Sequence, residues 1–163
     1  MAIELDFAAV LTEWPLLVKG VAWTLGLTTV SAVLGVLLGI GCAWVRTQGP
    51  SWSRPGVATY VELIRNTPFI VQLFFIFFGL PAMGVRLSPE WSSVIAMVIN
   101  LGAYSAEIVR AGIQTTPAGQ IEAAMSLALS RMQTFVWVVL PPALQRVWPA
   151  LVSQIIIVML GSA

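Results

Sequence analysis

Five polar residues, Asn100, Tyr104, Glu107, Arg110 and Gln114, punctuate an otherwise apolar stretch. At 3.6 residues per turn they project within an arc of about 120° on a helix. A second set, Glu62, Arg65, Asn66 and Gln72, also falls within about 120°, with Pro68 inside it. A charge at the centre of a bilayer costs about 2.5 to 3.5 kcal/mol even on the mildest scale. A polar stripe in such a setting must therefore face a bundle interior, a water-filled path or a partner subunit. Two readings stay open. In the first, the stripes line or gate a path for a polar solute, and Pro68 breaks its helix where backbone groups become free to meet that solute. In the second they only join helices, with Glu62–Arg65 and Glu107–Arg110 as internal ion pairs three residues apart.

Other chemistries are removed by composition. The chain has no histidine and a single cysteine, Cys42, so His-based triads, His metal sites and zinc clusters are excluded, as is an internal disulfide. Cys42 lies in an apolar run and reads as a packed small residue. Aspartate occurs only as Asp6, so a paired-aspartate site is excluded too, and no glycine-rich nucleotide loop is present. A net charge of +1 offers no basic surface for nucleic acid.

The elements that must carry the stripes are membrane spans. The 163 residues are 58% hydrophobic and 9% charged, where a soluble domain carries about 25% charged residues. Four apolar runs stand at 16–45, 57–80, 91–113 and 136–160, and about 20 apolar residues suffice to cross the hydrocarbon core. The last run holds Pro141, Pro142 and Pro149, so its membrane part is expected to begin near Pro149. Only 15 residues remain from there, about 22 Å of helix against a core of about 30 Å. A start near Val136 would avoid that shortfall but would place Pro141 and Pro142 in the membrane.

Arg46, Arg54, Arg65, Arg110, Arg131 and Arg146 fall to one side of these spans, and Lys19 and Arg86 to the other, with Glu4, Asp6, Glu13 and Glu90. The positive-inside rule then predicts an outside N-terminus and a cytoplasmic segment after Gln114. Ser31, Gly35, Gly39 and Ala43 recur every four residues, a face on which another helix can approach closely. Trp14, Trp44, Trp52 and Trp91 near span ends fit an interfacial belt.

Between the third and fourth runs, Thr116-Pro117 reads as an N-cap with proline at the first helical position. A short helix is predicted to follow, with Ile121, Met125, Ala128 and Met132 at helical spacing. Such a helix is marginal alone and needs a surface to dock on.

Within this segment Glu122-Ala123-Ala124, Leu127, Leu140-Pro141, Ala143 and Pro149 resemble the EAA signature of ABC importer permeases. Ile64-Arg65-Asn66-Thr67-Pro68 leading to Gln72-Leu73-Phe74-Phe75, then Gly102-Ala103-Tyr104, Glu107, Arg110-Ala111-Gly112-Ile113-Gln114 and Gly119-Gln120, are similar to the polar amino-acid branch of histidine, glutamine and glutamate permeases. The resemblance runs from about residue 10 to the end.

The resemblance implies an all-α polytopic membrane helix bundle with the type I ABC importer transmembrane-domain fold. Residues 1–163 would form one such domain, C-terminally incomplete, with about four spans present and the family's fifth missing. The 163 residues alone are therefore not expected to transport. It also implies a bacterial cytoplasmic-membrane permease that is itself no enzyme. Its partners would be cytoplasmic ABC ATPase subunits holding ATP-Mg, a second permease subunit (homo- or heterodimer) and an extracytoplasmic solute-binding protein. No cofactor is expected on this chain. A non-transporting assembly or regulatory subunit is the alternative.

The coupling segment, about 114–136, would contact the ATPase through Glu122, Ala123, Ala124, Leu127 and Ala128. The family usually has glycine where this chain has Ala128, which is unfavourable by on the order of 1 kcal/mol if that backbone needs a positive φ. The substrate path would be lined by Asn100, Tyr104, Glu107, Arg110, Arg65 and Gln72. Glu107 and Arg110 carry the signs to meet the ammonium and carboxylate of an amino acid.

Overall fold

The computed structural model describes residues 12–161, so Glu4 and Asp6 lie outside the described residues. Among the described residues six helices follow in order: α1 (Trp14–Gln48), α2 (Arg54–Arg65), α3 (Phe69–Ala82), α4 (Pro89–Gln114), α5 (Ala118–Ser126) and α6 (Arg131–Gly161). By length and hydropathy α1, α4 and α6 can each cross a membrane, and α2 with α3 can form a fourth, broken span.

The centre of the bundle is α4, which packs against α1, α2, α3 and α6. It starts where Ser88 accepts the N–H of Trp91 with Pro89 in the first turn, a standard polar cap before an apolar run. The four-residue stripe of α1 meets it. Ser31, Gly35, Gly39 and Ala43 are all buried, and a Cβ on Gly39 would sit 2.9 Å from the backbone nitrogen of Ala106. On the opposing surface a Cβ on Gly102 would meet Leu38 at 2.7 Å. Lipid tails are as apolar as leucine, so the two spans associate through this close approach rather than through hydrophobicity.

At the end of α1, Gly49 turns the chain tightly enough that its N–H bonds both Trp44 and Val45 carbonyls. A Cβ there would lie 2.5 Å from the Val45 oxygen, so glycine is required. Trp44 is partly buried and packs against the cluster of Ala43, Val109, Phe135 and Ala143. Trp14, Trp52 and Trp91 are exposed, as an interfacial position needs.

Two expectations about the spans are corrected. The second run is not one kinked helix; α2 and α3 meet at 106° across Asn66-Thr67-Pro68. Pro68 has no N–H to continue α2 and disfavours a helical conformation at Thr67 before it, so the chain restarts rather than bends. The fourth run does not begin near Pro149. That residue lies inside a continuous helix, with Ala143 and Leu151 buried on either side of it. The 31 residues of α6 reach about 46 Å, so the helix itself is long enough to cross a core of about 30 Å with Pro141 and Pro142 within the span. Pro141 and Pro142 are accommodated by a π segment, Thr134–Val139, just ahead of them. Neither proline can donate, and Leu140 bonds the carbonyl of Phe135, five residues back.

Candidate functional site: a polar cleft at the broken span

The break between α2 and α3 faces α4 and α6 and opens a cleft of about 300 Å³. Arg65 and Asn66 line it from the end of α2, Asn100 and Tyr104 from α4, and Gln154 from α6, with Thr67, Pro68, Phe69 and Ile157 completing the wall. Three of the six residues expected on a solute path, Arg65, Asn100 and Tyr104, are brought together here. Gln154 was missed: a single glutamine in an apolar run has no spacing partner in sequence, and only the packing of α6 carries it to the cleft.

Gln72 stands behind the cleft, not on its wall. Its side chain is buried, and Nε2 donates to the carbonyls of Ile64 at 2.7 Å and Thr67 at 2.8 Å. Its Oε1 accepts from Asn100 Nδ2 at 3.1 Å. Every carbonyl from Glu62 to Arg65 at the end of α2 is thereby matched. Glu62 accepts the N–H of Asn66, Leu63 the Thr67 hydroxyl at 2.8 Å, Ile64 the Thr67 N–H and the Gln72 amide, and Arg65 the Tyr104 hydroxyl at 3.4 Å. A helix end leaves its last carbonyls without intrahelical partners, and these groups supply them where the span breaks. The Arg65 guanidinium lies 5.5 Å over the Tyr104 ring, a cation–π distance that holds it against the cleft wall. No ion pair joins Glu62 to Arg65, so that expected pairing is not formed.

Glu107 and Arg110 do pair, but not on the cleft. Glu107 Oε1 accepts from Arg110, and Glu107 Oε2 accepts from Arg46 Nη1 of α1 at 2.6 Å. All three side chains are about a quarter exposed or less. One carboxylate thus bridges two cations, and Arg46 is the member sequence spacing could not supply, since it lies 61 positions away. Gln114, the last residue of the stripe, is exposed at the end of α4. Nearby, Arg146 donates to the hydroxyl of Thr115 at 2.8 Å, so Arg46, Arg110 and Arg146 gather at one end of the bundle.

Beyond that end lies α5. Thr116 does not cap it: its hydroxyl is buried with no partner, and Pro117 takes the cap position. The helix also stops at Ser126, so the run of Ile121, Met125, Ala128 and Met132 is not one helical face. Leu129 N–H bonds the Ala124 carbonyl and Ala128 N–H bonds that of Met125, the paired pattern of a Schellman stop. Such a stop needs a left-handed residue, and Ala128 supplies it with φ of 58°. Glu122, Ala123, Leu127 and Ala128 are exposed, Leu127 at 77%. Ala124, expected among the contact residues, is only 4% exposed and packs inward.

A non-glycine residue in this conformation is unfavourable by about 1 kcal/mol. Ala128→Gly is expected to stabilise the protein by that amount and to raise Tm in detergent by about 3 °C. Thermal unfolding followed by near-UV circular dichroism checks it; an unchanged or lower Tm would show that Ala128 is unstrained.

Residues 35–163 match the family described as binding-protein-dependent transport system inner membrane component. The chain belongs to that family. The permease is 37% identical over 158 residues to the glutamine transport system permease protein GlnP of Escherichia coli K12, covering 95% of this chain and 72% of that protein. It is 39% identical to the L-cystine transport system permease protein TcyB of Bacillus subtilis, with 88% and 61% covered, and 35% identical to the arginine transport system permease protein ArtQ of the same organism, with 94% and 71% covered. Among solved structures, an amino acid ABC transporter crystallised with histidines superposes with a TM-score of 0.84 at 35% identity, over 98% of this chain and 75% of that one. The MetNI methionine ABC transporter superposes at 0.76 with 26% identity, over 93% and 73%. The permease is therefore an all-α, multi-pass membrane protein with the type I ABC importer transmembrane fold, in the amino-acid branch.

Proposed function

We infer that this permease forms the translocation path of an ATP-driven importer for polar amino acids and couples it to hydrolysis on a separate subunit. The observation that carries the reading is the cleft. A polar pocket opens where a span is broken, the carbonyls of Leu63, Ile64 and Arg65 at the break accept from the side chains of Thr67, Gln72 and Tyr104, and Arg65, Asn100, Tyr104 and Gln154 line the space. Irregular backbone at membrane depth is tolerated where it lines a cavity, and a broken helix near the midplane is where transporters hold their solutes.

The exposed face of α5 supports the coupling part. Glu122, Ala123, Leu127 and Ala128 would dock in a groove of a cytoplasmic ABC ATPase, which would hold ATP-Mg. A second permease subunit and an extracytoplasmic binding protein would complete the assembly. The gathering of Arg46, Arg110 and Arg146 at the α5 end supports a cytoplasmic location for that end and an outside N-terminus in the bacterial inner membrane.

The test is reconstitution of the full-length permease with its ATPase and binding protein in liposomes. Amino-acid-stimulated ATP hydrolysis and uptake are expected. Glu122→Ala is expected to lower uptake and ATPase recruitment together, at least fivefold each, with permease abundance unchanged. Recruitment without any solute-stimulated hydrolysis would instead identify an assembly or regulatory subunit.

A further inference from the structure

We propose that the cleft selects against amino acids with cationic side chains, and that Gln154 is the residue setting this preference. The inference rests on the transport reading and concerns which solutes that same site takes. Of the nine residues lining the cleft, Arg65 alone carries a charge. The five acidic residues among those described, Glu13, Glu62, Glu90, Glu107 and Glu122, are all absent from its wall. Glu107, the nearest along α4, is held by Arg46 and Arg110 and is not available to a solute.

A free amino acid brings its ammonium and carboxylate as a neutral pair, so its side chain decides its net charge. Arg65 is exposed to this open cleft, and its guanidinium repels a second cation brought beside it. The position of Arg65 is itself fixed, by the Tyr104 ring beneath its guanidinium and by the bond from the Tyr104 hydroxyl to its carbonyl. Gln154, a half-buried residue of α6, lines the same cleft as Arg65 and Asn66. No other residue of α6 lining the cleft is polar. An amide both donates and accepts, which suits an amide or carboxylate side chain and gives a cationic one no counter-charge.

Equilibrium binding of radiolabelled L-glutamine, L-glutamate and L-arginine to the full-length permease–ATPase complex in nanodiscs, without binding protein, tests this. The wild type is expected to bind glutamine or glutamate at least tenfold more tightly than arginine. Gln154→Glu is expected to shift that ratio at least tenfold toward arginine, because it places a carboxylate opposite Arg65. Arg65→Gln, which removes the cation without adding an acid, is expected to bring arginine within threefold of glutamine. A wild type that binds arginine best, or variants that leave the ratio within twofold, would overturn the charge rule and leave the transport reading standing. A wild type that binds none of the three would overturn both.

Discussion

Glu107→Gln is expected to destabilise the permease by about 2 kcal/mol and to reduce transport with it. The carboxylate bridges Arg110 on its own helix and Arg46 on α1, and its side chain is 24% exposed. Removing one partner of a fully buried ion pair costs about 3–5 kcal/mol, because the other charge is stranded. Exposed pairs are worth about 0–1 kcal/mol. Three side chains between 19% and 25% exposed fall between those limits. Glutamine keeps the size and can still accept from one arginine, yet it leaves two positive charges facing each other with nothing between them.

The companion variant separates this bridging role from direct contact with solute. Arg46→Gln combined with Glu107→Gln removes one of the two stranded cations and is expected to recover about half of the lost stability, giving a clear coupling in a double-mutant cycle. Size-exclusion profiles after graded heating measure the stability, and uptake in liposomes measures the function. Normal stability with lost uptake would return Glu107 to the solute path. Loss of both, with recovery of both in the double variant, fits a strut between α1 and α4.

Gly39→Val is expected to have the largest effect of any single change in the α1 stripe, at about 3 kcal/mol. Overpacking a close interface ordinarily costs about 1–3 kcal/mol. Here a Cβ would stand 2.4 Å from the Ser105 Cβ and 2.9 Å from the backbone nitrogen of Ala106, both fixed to the α4 backbone, so no side chain can swing away. The helices must separate, and α4 is the element on which the cleft is built. Gly41→Val is the matched control, since a Cβ at Gly41 meets nothing within 4 Å. Membrane abundance and Tm in detergent are expected to fall for the first variant and to stay unchanged for the second. Equal behaviour of the two would mean that the close approach of α1 to α4 carries no stability.

Much of the fold is legible along the chain because membrane spans obey local rules. Apolar runs of sufficient length place α1, α4 and α6, and the stripe Ser31, Gly35, Gly39 and Ala43 names the face of α1 that α4 covers. The positive φ at Ala128 follows from its position after Leu127 in a motif that ordinarily has glycine there. Less legible were the ends of short elements. Thr116 offers a good cap and does not provide it, and the α5 periodicity stops at Ser126, because a Schellman turn ends a helix through backbone bonds that side-chain spacing does not encode.

By itself the sequence determined the bilayer as solvent, the spans, the arginine asymmetry and the two polar stripes, all of which depend on residue type and on helical periods of a few residues. Only the tertiary structure decided what each polar residue does. The stripe on α4 divides: Asn100 and Tyr104 reach the cleft, while Glu107 and Arg110 turn to Arg46. Gln72 caps the broken end of α2 instead of lining the cleft, and Gln154 lines it from α6. The physical reason is that a polar side chain inside a bundle bonds to whatever group packing brings within about 3 Å. Besides its local partners, Glu107 has one 61 positions away and Gln72 one 28 positions away, beyond the reach of any helical repeat.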